Sequence, residues 1–233
     1  MKIALIGSGK MSRAIATLAE ERRHIVTVMM GRTDNPAGSA ITRERLGHPD
    51  VVIEFTEPSA AAANVLGCVR AGLPVVVGTT GWYDQLEPVI AEVRKLEGSM
   101  FWAPNFSVGI AVLTAAIEAA TLALRDVPGF DAHLVETHHA AKKDKPSGTA
   151  AALANVAKAG LSRDVPITSV RTGFVPGTHE LVIDAAFEQL RLVHEARDRR
   201  VFADGAITAA EWLQGRNGVF TMRDVLHLKE KAR

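Results

Sequence analysis

A short apolar run, Ile3-Ala4-Leu5-Ile6, stops at Gly7-Ser8-Gly9, and a helical pattern follows from Lys10 to about Glu21. A strand that is apolar at every position must be buried on both faces, as in a parallel sheet covered by helices. Glycines between such a strand and a helix let another molecule approach the backbone. The free N–H groups at the helix start then favour an anion. The turn therefore constrains the chain to a strand–turn–helix unit built to receive a phosphate. The third glycine of the usual dinucleotide pattern is absent, and Ser12 stands in its place. The alternative is a tight turn that holds no ligand.

The alternation continues for about a hundred residues. Strands are expected at His24–Met29, Val51–Phe55, Pro74–Val77 and Met100–Ala103. Helices are expected at Pro58–Ala71, where proline suits the first turn, and at Gln85–Leu96. Strand–helix alternation implies right-handed crossovers and an α/β fold with a Rossmann-type doubly wound parallel sheet. Residues 34–39 read as a loop.

After Asn105 the pattern changes. A helix is expected from Val108 to Leu124, then a strand at Asp131–Glu136 and a helix at Gly148–Ala159. Strands are expected at Ile167–Thr172, Leu181–Ala186 and Gln189–Glu195, with Phe187-Glu188 in a hairpin turn, and a last helix at Ala206–Gln214. Consecutive strands indicate an α+β unit with a mixed sheet.

Composition excludes several function classes. The 233 residues carry 27 basic and 26 acidic side chains, a net charge of +1, which points to neither nucleic acid nor a membrane surface. A single cysteine, Cys68, rules out an intrachain disulfide and a multi-cysteine zinc site, and no metal is expected; Cys68 reads as a packing residue. No apolar run is long enough for a signal peptide or a membrane span, so a cytoplasmic protein is expected.

Chemistry concentrates in two places. At the carboxyl edge of the first sheet lie the nucleotide loop Gly7-Ser8-Gly9-Lys10-Met11, Phe55-Thr56, and Gly78-Thr79-Thr80. This edge faces the cofactor in such folds. Where many NAD enzymes carry an acid after the second strand, this chain has Gly31-Arg32, with no acid before Asp34. Arg32 suits a 2′-phosphate or stacking on adenine, so NADPH is favoured over NADH; the alternative is an ordinary solvated loop charge. The second place is Glu136-Thr137-His138-His139-Ala140-Ala141-Lys142-Lys143-Asp144-Lys145-Pro146-Ser147-Gly148-Thr149. Histidine is the natural proton donor near neutral pH, lysine supplies a compact cation, and the helix opening at Ser147 offers N–H groups and hydroxyls to a carboxylate. The bland alternative is a solvated basic loop.

That segment resembles the E-x-H-H-x-x-K-x-D-x-P-S-G-T signature of the dihydrodipicolinate reductase family, and the likeness spans nearly the whole chain. It includes I-G-S-G-K-M, V-V-I-E-F-T, V-G-T-T-G, the junction A-P-N-F-S-V-G-I, and F-A-D-G-A with V-F-T-M-R-D-V-L near the end. The resemblance implies a dinucleotide-binding domain over 1–105 completed by the tail 204–233. It also implies a substrate-binding and tetramerisation domain over 106–203, in a homotetramer assembled through the central sheet. The implied reaction is the NAD(P)H-dependent reduction of a hydroxylated tetrahydrodipicolinate, a small dicarboxylate, in lysine (diaminopimelate) biosynthesis. By position, His138 is the general acid and Lys142 binds substrate and assists proton transfer. His139, Ser147, Gly148 and Thr149 hold the carboxylates, and Ala103, Asn105 and Phe106 join the cofactor contacts. The chain departs from the family's G-D-x-V-G-E-H pattern, reading Gly173-Phe174-Val175-Pro176-Gly177-Thr178-His179, a loop that keeps its glycines and His179. Two other readings share this layout: a dehydrogenase of another small imino or semialdehyde acid, and a non-catalytic nucleotide sensor.

Overall fold

The structure, a computed structural model, describes residues 1–228. The chain divides into two compact units, Met1–Phe106 together with the chain from Phe202 onward, and Ser107–Val201.

The first unit opens with β1 (Lys2–Ile6), α1 (Lys10–Glu21) and β2 (Ile25–Met30). It continues through β3 (Val51–Glu54), α2 (Pro58–Arg70), β4 (Val75–Val77), α3 (Leu86–Lys95) and β5 (Ser99–Trp102). The six-stranded sheet is parallel throughout, in the order β10-β5-β4-β3-β1-β2, where β10 is Gly218–Phe220. This is a Rossmann-like sheet. Ile3, Ala4, Leu5 and Ile6 are buried, as their unbroken apolar run requires. Each such Ile or Leu contributes about 1.5–3 kcal/mol. After β2 the chain crosses back over β1 to reach β3, so the order reverses beside the carboxyl end of β1, where ligands dock in open α/β sheets.

Residues 34–39 are more ordered than a plain loop. Pro36–Gly38 form a 3-10 turn, and the buried Asn35 donates from Nδ2 to Asn64 Oδ1 at 2.8 Å while its Oδ1 accepts from the Ala40 N–H at 3.1 Å.

The second unit holds α4 (Val108–Ala123), β6 (Asp131–His138), α5 (Gly148–Leu161), β7 (Ile167–Arg171), β8 (Thr178–Asp184) and β9 (Gln189–Glu195). The sheet order is β7-β6-β8-β9. The β6–β7 pair is parallel and the other pairs are antiparallel, so this sheet is mixed. Residues 185–188 close the β8–β9 hairpin, with the Ala185 N–H on Glu188 O at 2.9 Å. Ala132, Leu134, Leu181 and Ile183 face Ile110, Leu113 and Ile117 of α4 and Leu153, Ala157 and Leu161 of α5. The helices touch closely at Gly160, where a Cβ would stand 2.0 Å from Thr121 Oγ1.

Three expectations need correction. β6 runs two residues further, to His138, because His138 pairs in register with Arg171 of β7. β8 starts at Thr178 rather than Leu181, so His179 lies on a strand paired with Glu136 and His194, not in a loop. The last long helix, α6 (Arg200–Leu213), begins six residues early. Gly205 inside it is required rather than disruptive, since a Cβ there would meet Phe106 O at 1.6 Å. β10 and the short α7 (Met222–Val225) went unpredicted.

Candidate active site

In the first unit a cavity of about 240 Å³ opens at the carboxyl ends of β1, β2 and β3. Gly7, Ser8, Gly9, Arg32, Phe55 and Thr56 line it, all expected from the sequence, together with Asn35, Glu57 and Asn64, which were not. Gly7 has φ +112°, and a Cβ there would overlap Phe55 O at 2.0 Å, so only glycine fits this turn. Among the described residues no side chain caps α1 at Gly9, which leaves its first N–H groups to solvent or an anion. Lys10 and Met11 begin that helix. These residues fit a dinucleotide: a glycine turn, an uncapped helix start and a cavity beside both.

The remaining predicted cofactor residues are arranged behind this edge. The Phe55 ring covers Gly78, where a Cβ would lie 2.0 Å from Cζ, and Phe55 packs on Phe106 with centroids 5.8 Å apart. Ala103 and Phe106 are buried, Asn105 is half-buried and Thr80 is exposed. Thr79 is buried and donates to Glu54 Oε2 at 2.7 Å, while its hydroxyl accepts from the Thr56 N–H at 2.8 Å. Glu54, fully buried at the end of β3, also receives the Thr56 hydroxyl and Asn64 Nδ2. Burial raises its pKa above the usual carboxylate range, against the pull of those hydrogen bonds. Glu54 went unread because a single acid in an apolar strand carries no periodic signal.

On the rim, Arg32 Nη1 lies 3.3 Å from Glu57 Oε2. Asp34 folds back so that Oδ2 accepts from the Gly31 N–H at 2.9 Å. An acid therefore stands at the end of β2 although the strand itself carries none.

In the second unit, strand alternation puts Glu136 and His138 on the face that carries Leu134, at the polar end of the core. Glu136 is wholly buried; its Oε2 contacts His138 Nδ1 and its Oε1 receives Arg171 Nη2 at 2.6 Å. The same guanidinium nitrogen donates to Asp144 O at 2.6 Å, tying β7 to the segment before α5. Burial pushes the Glu136 pKa up, but hydrogen bonds from Arg171, Ser169 and His138 outweigh it and bring it down to about 2. For His138, burial lowers the pKa, Glu136 pulls it back up, Lys142 and Arg171 push it down, and the net shift is downward.

His179, across from Glu136 on β8, meets His138 edge-on with centroids 5.2 Å apart. Its Nε2 lies 3.4 Å from Ser147 Oγ, which caps α5 by accepting from the Ala150 N–H at 3.2 Å. Burial first, then the neighbouring His138, drop the His179 pKa to about 4. Its Nδ1 is buried with no hydrogen-bond partner among the described residues. The same device recurs at α4, where the N-cap Ser107 lies 3.2 Å from His194 Nε2 and accepts from the Ile110 N–H. Glu136, His138 and His179 have donor atoms within 4.8 Å of one another, but Arg171 occupies the carboxylate and opposes a second cation there. Lys142 Nζ pairs with Asp144 Oδ1 at 2.8 Å. His139 and Thr149 are half-buried, Ser147 is buried and Gly148 is exposed at the first position of α5. Arg171 and the role of Glu136 were missed in the sequence, although the i, i+2 spacing of Glu136 and His138 on a strand carried the signal.

Residues 1–106 match the family described as "Dihydrodipicolinate reductase, N-terminus", and residues 109–226 match "Dihydrodipicolinate reductase, C-terminus". The chain belongs to this family. Among curated relatives, the 4-hydroxy-tetrahydrodipicolinate reductase of Christiangramia forsetii is 32% identical over 97% of this chain and 98% of its own. That of Xanthomonas campestris pv. campestris is 35% identical, with the same coverage. A solved structure described as dipicolinate-bound dihydrodipicolinate reductase from Paenisporosarcina sp. TG-14 shares the fold. Its TM-score is 0.80 at 20% identity, covering 97% of this chain and 99% of that one. As a member of the dihydrodipicolinate reductase family, the chain is an oxidoreductase with a nucleotide-binding N-terminal domain. No helix among the described residues is long and apolar enough to cross a membrane.

Proposed function

We infer that the protein is a 4-hydroxy-tetrahydrodipicolinate reductase of the lysine (diaminopimelate) pathway, using NAD(P)H in the cytoplasm. Full-length relatives of that name support the reaction. The observation that carries the residue roles is the link from His138 through the edge-on ring of His179 to Ser147 at the start of α5. It sets a titratable imidazole beside a helix N-terminus that can hold an anion.

The nucleotide, when bound against Gly7, Ser8, Gly9 and the α1 N-terminus, supplies a hydride. As the substrate ring loses water and is reduced, His138 gives a proton from Nε2 to the carbon that becomes electron-rich. Lys142 leaves Asp144 to pair with the dicarboxylate and to support the proton transfer. Ser147, Gly148 and Thr149 at the α5 N-terminus, together with His139, hold the carboxylates. The domain limits carried by this reading are 1–105 with 204–233, and 106–203.

The expectation of NADPH rested on Arg32. With Arg32 paired to Glu57 and the Asp34 carboxylate at the end of β2, a 2′-phosphate meets two negative groups as well as one positive. We propose that NADH is used as well as NADPH. Assembly as a homotetramer is supported by the sheet face opposite the helices, where Val170 and Val193 are 38% and 54% exposed. Light scattering on the purified chain tests it; a monomeric mass would refute it.

The reaction is tested by following NAD(P)H absorbance with the freshly made condensation product of pyruvate and aspartate semialdehyde, using each nucleotide in turn. Turnover is expected, with competitive inhibition by pyridine-2,6-dicarboxylate. His138→Gln is expected to lower kcat by about 10²–10⁴-fold. Absence of turnover with both nucleotides would overturn the assignment, and a His138→Gln enzyme with normal kcat would remove His138 from it.

A further inference from the structure

We propose that Glu136, clamped by Arg171, is a positioning residue that holds His138 in its Nδ1–H tautomer and leaves Nε2 as the nitrogen from which a proton departs. This rests on His138 being the proton donor. Three observations carry it.

The first is geometric. Each carboxylate oxygen has its own partner: Oε2 takes His138 Nδ1 and Oε1 takes Arg171 Nη2 at 2.6 Å. With one edge of the imidazole tied down this way, the ring cannot flip without unpairing a carboxylate that has no access to water.

The second is energetic. A buried Glu–Arg pair is a poor way to stabilise a sheet, since apolar residues of similar volume do as well or better. A carboxylate in such a place is useful when a positive charge must form beside it. Protonation at Nε2 creates that charge on His138.

The third concerns access. Gly177 faces Nε2, and a Cβ there would stand 3.0 Å from it. Gly177 has φ +152° and carries no side chain, so the approach to Nε2 is left clear while Nδ1 is closed off.

The charged and titratable groups around the ring fit this role. Among the described residues, Glu136 on β6 is the carboxylate in contact with the ring. Arg171 on β7 and Lys142 after β6 disfavour the imidazolium, His179 on β8 meets the ring edge-on with His194 paired beside it, and Asp144 is occupied with Lys142. Glu136 therefore opposes the combined effect of burial and two cations, Arg171 and Lys142.

Histidine-selective 15N labelling with long-range proton–nitrogen spectra reads the tautomer and titration of each ring, and the His138→Gln spectrum assigns the signal. The wild-type protein is expected to show His138 in the Nδ1–H form above its pKa; the Nε2–H form would overturn the proposal without any further variant. The double substitution Glu136→Gln with Arg171→Met removes both charges and leaves no lone buried ion, so it tests the pair without the penalty of Glu136→Gln alone. In it the His138 pKa is expected to fall and kcat to drop about 10–100-fold. The KM for the dicarboxylate should stay within about twofold, and the alkaline fall of the kcat profile should move to lower pH. An unchanged tautomer and pKa, or an unchanged kcat, would overturn it. The ring spectra need no turnover. A wild-type enzyme inactive on the substrate would therefore sink the reductase reading, while the spectra would still decide whether Glu136 sets the His138 tautomer.

Discussion

Arg32 shows how little a motif position says until its partners are known. Its side chain is 86% exposed and lies 3.3 Å from Glu57, an exposed pair worth about 0–1 kcal/mol. Such a pair is easily re-formed around a ligand, so the charge balance of the rim, more than the pair itself, decides between a 2′-hydroxyl and a 2′-phosphate. Glu57→Gln removes one negative group and frees Arg32. The ratio of kcat/KM for NADPH over NADH is expected to rise about 3–10-fold, the size of one screened charge contact at close range. Arg32→Ala is expected to move the ratio the other way. Steady-state kinetics with both nucleotides check this, and equal ratios in wild type and both variants would remove these side chains from nucleotide choice.

Elements whose pattern is local were legible in the sequence, and those decided by pairing were not. α1 and β9 have the bounds their periodicity predicts, and β1 to β5 with α2 and α3 fall within a residue or two. β10 has three residues and exists because they pair with β5, far away in the chain. β8 was misplaced because its first residues, Thr178, His179 and Glu180, are polar, and only their register against β6 and β9 makes them strand. The same holds for the last two residues of β6, where only pairing with β7 carries the strand on to His138. The turn between β1 and α1 yields the prediction that belongs at this scale. Gly7→Ala forces a Cβ into the Phe55 carbonyl at a left-handed φ, which is expected to cost at least about 1–3 kcal/mol. At Gly9 φ is −76° and nothing lies within 4 Å, so Gly9→Ala should leave stability within about 0.5 kcal/mol. Urea unfolding of the two variants separates the roles; equal midpoints would contradict the turn geometry.

At the scale of the whole chain, the two units bury titratable groups of opposite consequence. In the second unit, His179 has a pKa of about 4 against an ordinary 6.5. The unfolded chain then binds the extra proton between those values, so stability is full above pH 6.5 and is lost as pH falls towards 4. The loss is at most about 3 kcal/mol, and His138 and His194, also lowered by burial, add to it in the same direction. Glu136, at about 2 against 4.5, continues the decline at more acid pH, because its stabilising charge is lost as pH falls below 4.5. Glu54 in the first unit acts in reverse: burial raises its pKa, so its contribution is full below 4.5 and lost as pH rises through its raised value. The three tryptophans, Trp82, Trp102 and Trp212, all lie in the first unit. Acid titration should therefore give a loss of helical circular dichroism between pH 6 and 4 that precedes any change in tryptophan emission, and the His179→Gln protein should shift that first transition to lower pH. Coincident transitions by both probes would mean that the histidine cluster does not control the acid stability of the second unit.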